Sequence, residues 1–107
     1  MQVVIFEVII KEGQKNAYLD IAANLRPLLQ KIDGFISIER FQSLSDPEKL
    51  LSLSYWRDAE AVKAWRTQSE HRQAQQKGNQ DIFRDYRITV ANTLRSYGKT
   101  DRDAAPN

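Results

Sequence analysis

The chain has 107 residues, which suits one domain with one hydrophobic core, and its 41% hydrophobic and 28% charged residues are typical of a globular protein. Its net charge is +2, and Lys and Arg are scattered, which argues against nucleic acid as the main partner because phosphate binding needs a clustered basic face. The lack of cysteine excludes disulfides, thiolate metal sites and a cysteine nucleophile. With neither a signal peptide nor a membrane-length apolar segment, we expect a cytoplasmic protein with no membrane partner.

The first third of the chain predicts a strand followed by a helix. Residues 3–10 are β-branched and nearly all apolar, which is typical of a strand covered on both faces. Apolar residues then recur at helical spacing over residues 13–32, and Pro27 within them should bend the helix. The Asp-Gly pair at residues 33–34 ends the pattern with a turn signal.

The middle of the chain predicts a β-hairpin. Residues 35–42 alternate as a second strand, and residues 49–57 return as a third strand after a turn at residues 45–48. One face of the second strand is expected to carry Phe35, Ser37, Glu39 and Phe41.

A second helix follows, and its sequence predicts a break. Asp58 is a plausible N-cap, and the apolar face carries Trp65. Residues 67–70 match a capping box, which predicts that a new helical piece starts near Thr67. On one straight helix Trp65 and His71 would point about 120° apart, so a break would let them converge on one cavity.

The last element is a strand predicted over residues 85–96, after Gly78-Asn79 ends the helix. Beyond Gly98 the polar tail, residues 99–107, is expected to be disordered. Residues 1–98 therefore form a single domain. One face of the last strand carries Tyr86, Ile88, Val90, Asn92 and Leu94.

The order β-α-β-β-α-β predicts an α+β, ferredoxin-like fold, with an antiparallel four-stranded sheet and both helices on one face. The other face also needs a cover if both faces of the first strand are apolar. A second copy of the sheet is the large surface available to a chain of this length. The sequence therefore predicts a homodimer through sheet-on-sheet packing.

These residues resemble the antibiotic biosynthesis monooxygenase (ABM) domain family over roughly residues 2–97. The resemblance rests on the element order and on residues 54–61, Trp65, His71 and residues 83–86. It implies a dimeric α+β barrel. The resemblance also implies an activity found in the family. Some members oxidise quinol-like or polyphenolic substrates with O2 and without metal or flavin, others degrade haem, and many have no established activity.

The single histidine, His71, is the candidate catalytic base, since a group that titrates near neutral pH suits deprotonation of a phenol. The candidate substrate-binding residues are Trp65, Tyr55, Glu7, Asn92 and Tyr86. Each candidate also has a structural alternative, such as core packing for Trp65, a salt bridge for Glu7 or a half-exposed position near a helix start for His71.

Haem is the disfavoured cofactor, and neither a metal site nor another cofactor is predicted. The spacing of Trp56 and Trp65 resembles the haem-degrading branch of the family. That branch uses an asparagine where this chain has Glu7, and a histidine ligand at the spacing of Gln75. His71 comes four residues earlier, and neither Glu nor Gln replaces a neutral imidazole ligand well.

The leading hypothesis is a homodimeric, cofactor-independent monooxygenase that uses O2 on a small planar phenolic or quinol-type molecule, bound between helices and sheet. The alternative is a non-catalytic dimeric module that binds an aromatic ligand or serves in stress. A haem-binding or haem-degrading protein ranks third. Whether the chain is an enzyme stays open at this point.

Overall fold

The computed structural model describes the backbone of residues 1–75 and 82–103, and the side chains of this part except those of residues 69–75. The predicted order of elements is confirmed. The helix end expected at Gly78-Asn79 and the last four residues of the tail lie outside the described residues. The elements are β1 (Gln2–Ile10), α1 (Lys15–Gln30), β2 (Phe35–Gln42), β3 (Lys49–Trp56), α2 (Ala59–Gln75) and β4 (Phe83–Asn92).

The four strands form one antiparallel sheet in the order β2-β3-β1-β4. This is the predicted ferredoxin-like arrangement, with β1 and β3 at the centre and β2 and β4 at the edges. The central strands are the apolar ones because each is flanked by a partner on both sides and covered by helices on one face. Among the described residues, no helix is long and apolar enough to cross a membrane.

The hydrophobic core lies between the two helices and one face of the sheet, here called the helix side. Every second residue of β3, from Leu50 to Trp56, is buried on this side. One core cluster contains Val8, Ile10, Tyr18, Leu50 and Ile82, and the other contains Leu29, Trp56 and Ala61. The opposite face, the open side, has no element of the described chain packed on it as its own layer.

A β-bulge corrects the predicted face of Phe35. The register between β2 and β3 shifts between Phe35 and Ser37, so Phe35 pairs with Trp56 while Ser37 pairs with Tyr55. The extra residue, Ile36, moves Phe35 to the helix side, where its ring meets that of Trp56 edge-on at 5.2 Å. The simple alternation predicted from the sequence is wrong at this one position.

The last strand is shorter and earlier than predicted. It spans Phe83–Asn92, and its neighbour in the sheet, β1, begins at Gln2, which pairs with Asn92. The backbone N–H of Thr93 donates to the Met1 carbonyl at 2.9 Å, and among the described residues no strand pairs with residues 93–96. Leu94 therefore lies outside the sheet and is 95% exposed. Further on, the N–H of Gly98 donates to the Asp101 carbonyl at 2.8 Å and closes a turn.

The predicted break in the second helix is also wrong. α2 continues from Ala59 through Thr67 to Gln75. A helix that is already formed gains one hydrogen bond for each residue added, and residues 66–75 contain neither glycine nor proline. The capping-box pattern therefore lies in a helix interior. The predicted N-cap is confirmed, since the Ala61 N–H donates to Asp58 Oδ1 at 2.9 Å.

Replacement of Gly34 by alanine should destabilise the fold more than replacement of Gly13. Both glycines have positive φ, +94° and +80°, which costs an alanine about 1–2 kcal/mol. A Cβ at Gly34 would also lie 2.7 Å from the Ala61 Cβ, while a Cβ at Gly13 would have nothing within 4 Å. Overpacking adds about 1–3 kcal/mol. Urea unfolding of Gly34→Ala, with Gly13→Ala as the matched control, measures the difference. Equal losses would contradict the close approach.

Candidate functional site

The structure separates the candidate site residues between the two sides of the sheet. In the strand register, Tyr86 and Asn92 lie on the helix side, opposite Val8 and Gln2. Trp65 packs on this side as well, from α2. Glu7 and Tyr55 lie on the open side, and the side chain of His71 is outside those described.

An apolar strip runs along the helix side of β1 and β4. It consists of Val4, Phe6, Tyr86, Ile88 and Val90, which the register places side by side. Tyr86, Ile88 and Val90 are 58%, 56% and 50% exposed, although they face the same way as the core residues of β1. The Phe6 and Tyr86 rings meet edge-on at 5.8 Å. Exposed apolar side chains grouped in this way mark a binding surface more often than scattered ones do.

The strip is exposed because α2 has little with which to cover it. Its apolar side chains, Ala61, Val62 and Trp65, come in the first two turns and pack against the Leu29–Trp56–Ala61 cluster. Residues 66–75 read Arg-Thr-Gln-Ser-Glu-His-Arg-Gln-Ala-Gln, with no large apolar residue. A helix segment without an apolar face gains nothing from packing on a sheet. This lack of an apolar face in the second half of α2 agrees with the exposure of the apolar residues of β4.

Trp65 connects the core with the strip. Its side chain is half-buried and packs against the same cluster as Val4, the end residue of the strip. The indole therefore serves core packing near this end of the strip. At this same end, the Gln2 side-chain amide donates to Asn92 Oδ1, which gives the apolar strip a polar boundary.

Glu7 and Tyr55 do not join this group. The Glu7 carboxylate forms a salt bridge with Lys49 at 3.5 Å on the open side, so its structural alternative is observed. Tyr55 pairs with Val3 and Ser37 on that side. The one-residue alternation of a strand places them across the sheet from the strip.

Because α2 is unbroken, the helical positions of Trp65 and His71 differ by about 120° around its axis. The predicted convergence through a break is therefore not available.

Two buried serines were not predicted, although β3 shows their signal. The sequence Leu-Ser-Leu-Ser at residues 51–54 places serine at the inward positions, where the exposure of Ser52 and Ser54 is 6% and 5%. Ser54 Oγ accepts a hydrogen bond from Trp56 Nε1 at 2.9 Å. This hydroxyl satisfies the one polar group of a fully buried indole. Trp56 is thus a core residue.

A charged cluster, here called the Arg57 clamp, was also missed. The Arg57 guanidinium donates to both Asp33 oxygens at 3.1 and 3.0 Å and to Asp58 Oδ2 at 3.0 Å. The hydrogen bond from Arg57 and its charge lower the pKa of Asp33. The backbone N–H of Ala61, followed by Arg57, lowers the pKa of Asp58. These carboxylates raise the pKa of Arg57, which stays charged.

No candidate metal site exists in the part of the chain described, since no three His, Asp or Glu side chains there come together. Two shallow grooves follow the β2 edge beside Arg26, and neither contains a candidate site residue. The apolar strip remains the surface on which the site can be built.

The sequence and the fold match a known class of protein. The family model for antibiotic biosynthesis monooxygenases matches residues 1–77. The chain belongs to this family, as its sequence predicted.

The relatives extend this match along the chain. A protein named jasmonate monooxygenase ABM, from Pyricularia oryzae, is 45% identical over 96 residues, which cover 90% of this chain. Those residues cover 45% of that relative, so this chain spans about half of its length. Two solved structures share the fold at 15% identity. Rv0793 from Mycobacterium tuberculosis has a TM-score of 0.75, over 91% of this chain and 98% of that one. A MhuD mutant with two manganese protoporphyrin IX per active site has a TM-score of 0.73, over 92% and 99%.

The contribution of the Arg57 clamp to stability should fall in acid. The pKa of Asp33 and Asp58 is lower in the folded state than the value of about 3.9 in the unfolded chain. Their contribution is therefore complete above pH 3.9 and is lost as the pH falls through the folded pKa. Thermal unfolding of wild type and Arg57→Gln should differ at pH 6, and the difference should shrink towards pH 2. Because the groups are exposed, salt should also reduce it. A difference that grows in acid would contradict this.

Proposed function

We propose that this protein is a monooxygenase that acts on a small planar phenolic or quinol-type molecule lying on the apolar strip. The observation that carries the proposal is the exposure of Tyr86, Ile88 and Val90 on the helix side of the sheet, in a chain of this family. A flat ring would cover these side chains and border Trp65, which supplies a large apolar surface with one donor. The polar end at Gln2 and Asn92 would orient the ring substituents.

The reaction we propose needs no external reductant. An activated ring methylene reacts with O2 to give a carbonyl and water, so one oxygen atom enters the product and the other leaves as water. The substrate supplies all four electrons. The step begins when a base removes a proton from the phenol, since the phenolate is electron-rich enough to pass an electron to O2. An imidazole suits this task, and we assign it to His71. The positions of His71 and Trp65 on α2 differ by about 120° around the axis and about 9 Å along it, so the two would contact different parts of the ligand.

Oxygen uptake with a panel of hydroxyanthrones, which are phenols that carry an activated ring methylene, tests this assignment. Hydroquinones are left out because they have no such methylene, and their oxidation to quinones gives hydrogen peroxide without transfer of an oxygen atom. Wild type should consume O2 with at least one member without added metal, flavin or nicotinamide. His71→Ala should lower kcat by about 10²- to 10⁴-fold, the usual contribution of a general base. Gln68→Ala, on the same helix, is the control and should keep its activity.

Substrate-dependent uptake that is equal in wild type and His71→Ala would remove His71 from the mechanism. The absence of uptake with every member of the panel would favour the non-catalytic binding module.

A charge on the strip should weaken ligand binding. Ile88→Glu places a carboxylate on the strip. Ile36→Glu is the matched control, because it places a carboxylate on the bulge of β2, away from the strip. The two isoleucines are similarly exposed, at 56% and 52%. Binding of 1,4-dihydroxynaphthalene, followed by tryptophan fluorescence, should weaken at least about tenfold in Ile88→Glu, because a carboxylate buried against an apolar ring loses its hydration. Equal affinity in the two variants would place the ligand elsewhere.

The relative from Pyricularia oryzae suggests jasmonate as a second candidate substrate. Jasmonate is a cyclopentanone with aliphatic side chains, which the apolar strip can also accommodate. Hydroxylation of such a carbon consumes two electrons that the substrate does not supply. Consumption of jasmonate should therefore depend on an added reductant, such as a reduced nicotinamide, whereas oxidation of an anthrone should not.

We also propose that two copies pack sheet against sheet. The open side carries half-buried apolar residues on the central strands, and the exposed ring of Phe41 continues this surface onto β2. The central set is Val3, Ile5, Ile9, Leu51, Leu53 and Tyr55. A second copy of the same sheet would cover these side chains.

The homodimer predicts a definite hydrodynamic result. Sedimentation equilibrium at micromolar concentration should give twice the chain mass of 12.4 kDa. Leu53→Glu should shift the protein towards monomer, because it puts a charge at the centre of the open side. Ile88→Glu, on the helix side, is the control and should remain dimeric. A wild-type monomer would refute the dimer.

Haem is not proposed as the substrate or cofactor, although one structural neighbour holds a protoporphyrin. Glu7 is engaged with Lys49 on the open side, across the sheet from the strip. Addition of one equivalent of haemin should therefore leave the Soret band as it is for free haemin. A shifted Soret band at this stoichiometry would restore the haem hypothesis.

A further inference from the structure

Two chain connections meet at one end of the sheet. The α1–β2 connection contains Asp33 and Gly34, and the β3–α2 connection consists of Arg57 and Asp58. The Arg57 N–H donates to the Gly34 carbonyl at 2.7 Å. Gly34 also lies so close to the first turn of α2 that an added Cβ would be 2.7 Å from the Ala61 Cβ. The start of α2 thus rests directly on the neighbouring connection.

The Arg57 side chain ties these connections together. It holds both oxygens of Asp33 on one side and Asp58 Oδ2 on the other. The remaining Asp58 oxygen, Oδ1, accepts the Ala61 N–H and caps α2. The bidentate pair with Asp33 fixes the plane of the guanidinium, and this plane in turn fixes the capping carboxylate. One cation therefore links α1, through its following connection, to the N-terminus of α2.

α2 needs such a link because its large apolar residues are concentrated at one end of its sequence. Its apolar side chains lie at Ala61, Val62 and Trp65, and residues 66–75 are polar or small. A helix of 17 residues is about 25 Å long. A tilt of about 10° at its start would move its far end by about 4 Å over that length. Small changes at the clamp are therefore amplified along this helix, whose Trp65 packs against the same core cluster as Val4 of the strip.

We propose that Arg57 is a positioning residue that, through Asp33 and Asp58, sets the orientation of α2 relative to the apolar strip. It acts through Trp65 and the rest of α2 and does not touch the ligand. The consequence for ligand binding rests on the proposed function, whereas the orientation of α2 does not. A simple surface ion pair would instead leave α2 unchanged when it is removed, since exposed pairs contribute little to stability.

The test compares variants of the clamp with a matched surface pair. Arg57→Gln removes the cation, Arg57→Lys keeps the charge without the bidentate geometry, and Asp33→Asn leaves the Asp58 cap in place. Arg84→Gln is the control, because Arg84 forms a 2.8 Å pair with Glu48 and its side chain is 59% exposed, against 56% for Arg57.

Hydrogen exchange followed by NMR measures the effect on α2 directly. In Arg57→Gln and Asp33→Asn, amides 62–68 of α2 should exchange at least about tenfold faster, while amides of α1 and β1 keep their wild-type rates. Arg57→Lys should fall between these variants and wild type. In protein labelled with 5-fluorotryptophan, the ¹⁹F resonance of Trp65, assigned with Trp65→Phe, should shift in the same order. Arg84→Gln should change neither signal.

Ligand binding supplies the second measurement. The Kd for 1,4-dihydroxynaphthalene should rise at least about fivefold in Arg57→Gln and stay unchanged in Arg84→Gln. If wild type does not bind this probe, the proposed function fails, while the exchange and ¹⁹F measurements still decide the role of Arg57. The proposal would be overturned if, in both Arg57→Gln and Asp33→Asn, amides 62–68 exchanged at the wild-type rate and the Trp65 resonance did not shift. Equal acceleration of α1, α2 and β1 in both variants would also overturn it.

Discussion

The packing of α2 through its first two turns is the constraint on which the rest of the structure depends. Ala61, Val62 and Trp65 press against Trp56 and Leu29, while the second half of the helix carries no apolar face. A fully amphipathic helix would have covered β4 and closed the core. Tyr86, Ile88 and Val90 of β4 are exposed, although they face the same side of the sheet as the core.

The Trp56 side chain, against which α2 packs, is held by several contacts. The Trp56 indole is 1% exposed, its one polar group is satisfied by Ser54, and the Phe35 ring meets it edge-on through a bulge in β2. The connection after Trp56 starts α2 within two residues, so the position of the indole and the direction of the helix are coupled. The Arg57 clamp lies at this junction, where it joins the α1–β2 connection to the start of α2.

The two sides of the sheet carry different groups of residues in this arrangement. The helix side holds the core and the strip, whereas the open side presents an apolar surface of its own with Glu7 and Lys49 at one end. This division explains why the candidate residues do not form one group. Tyr86 and Trp65 belong to the helix side, and Glu7 and Tyr55 to the other, because alternate residues of a strand face opposite ways.

The fold class, the order of elements, the N-cap at Asp58 and the family follow from the sequence alone, because hydrophobic periodicity and capping are local signals. The same local signals were misleading at Thr67, where a capping-box pattern lies inside an uninterrupted helix, and at residues 93–96, where apolar alternation continues past the end of the partner strand. The tertiary structure decided the bulge that turns Phe35, the burial of Ser54 and the meeting of Asp33 with Arg57. These features depend on which strands and connections become neighbours. The local sequence pattern of a segment does not specify which distant segment it will pair with, or in which register.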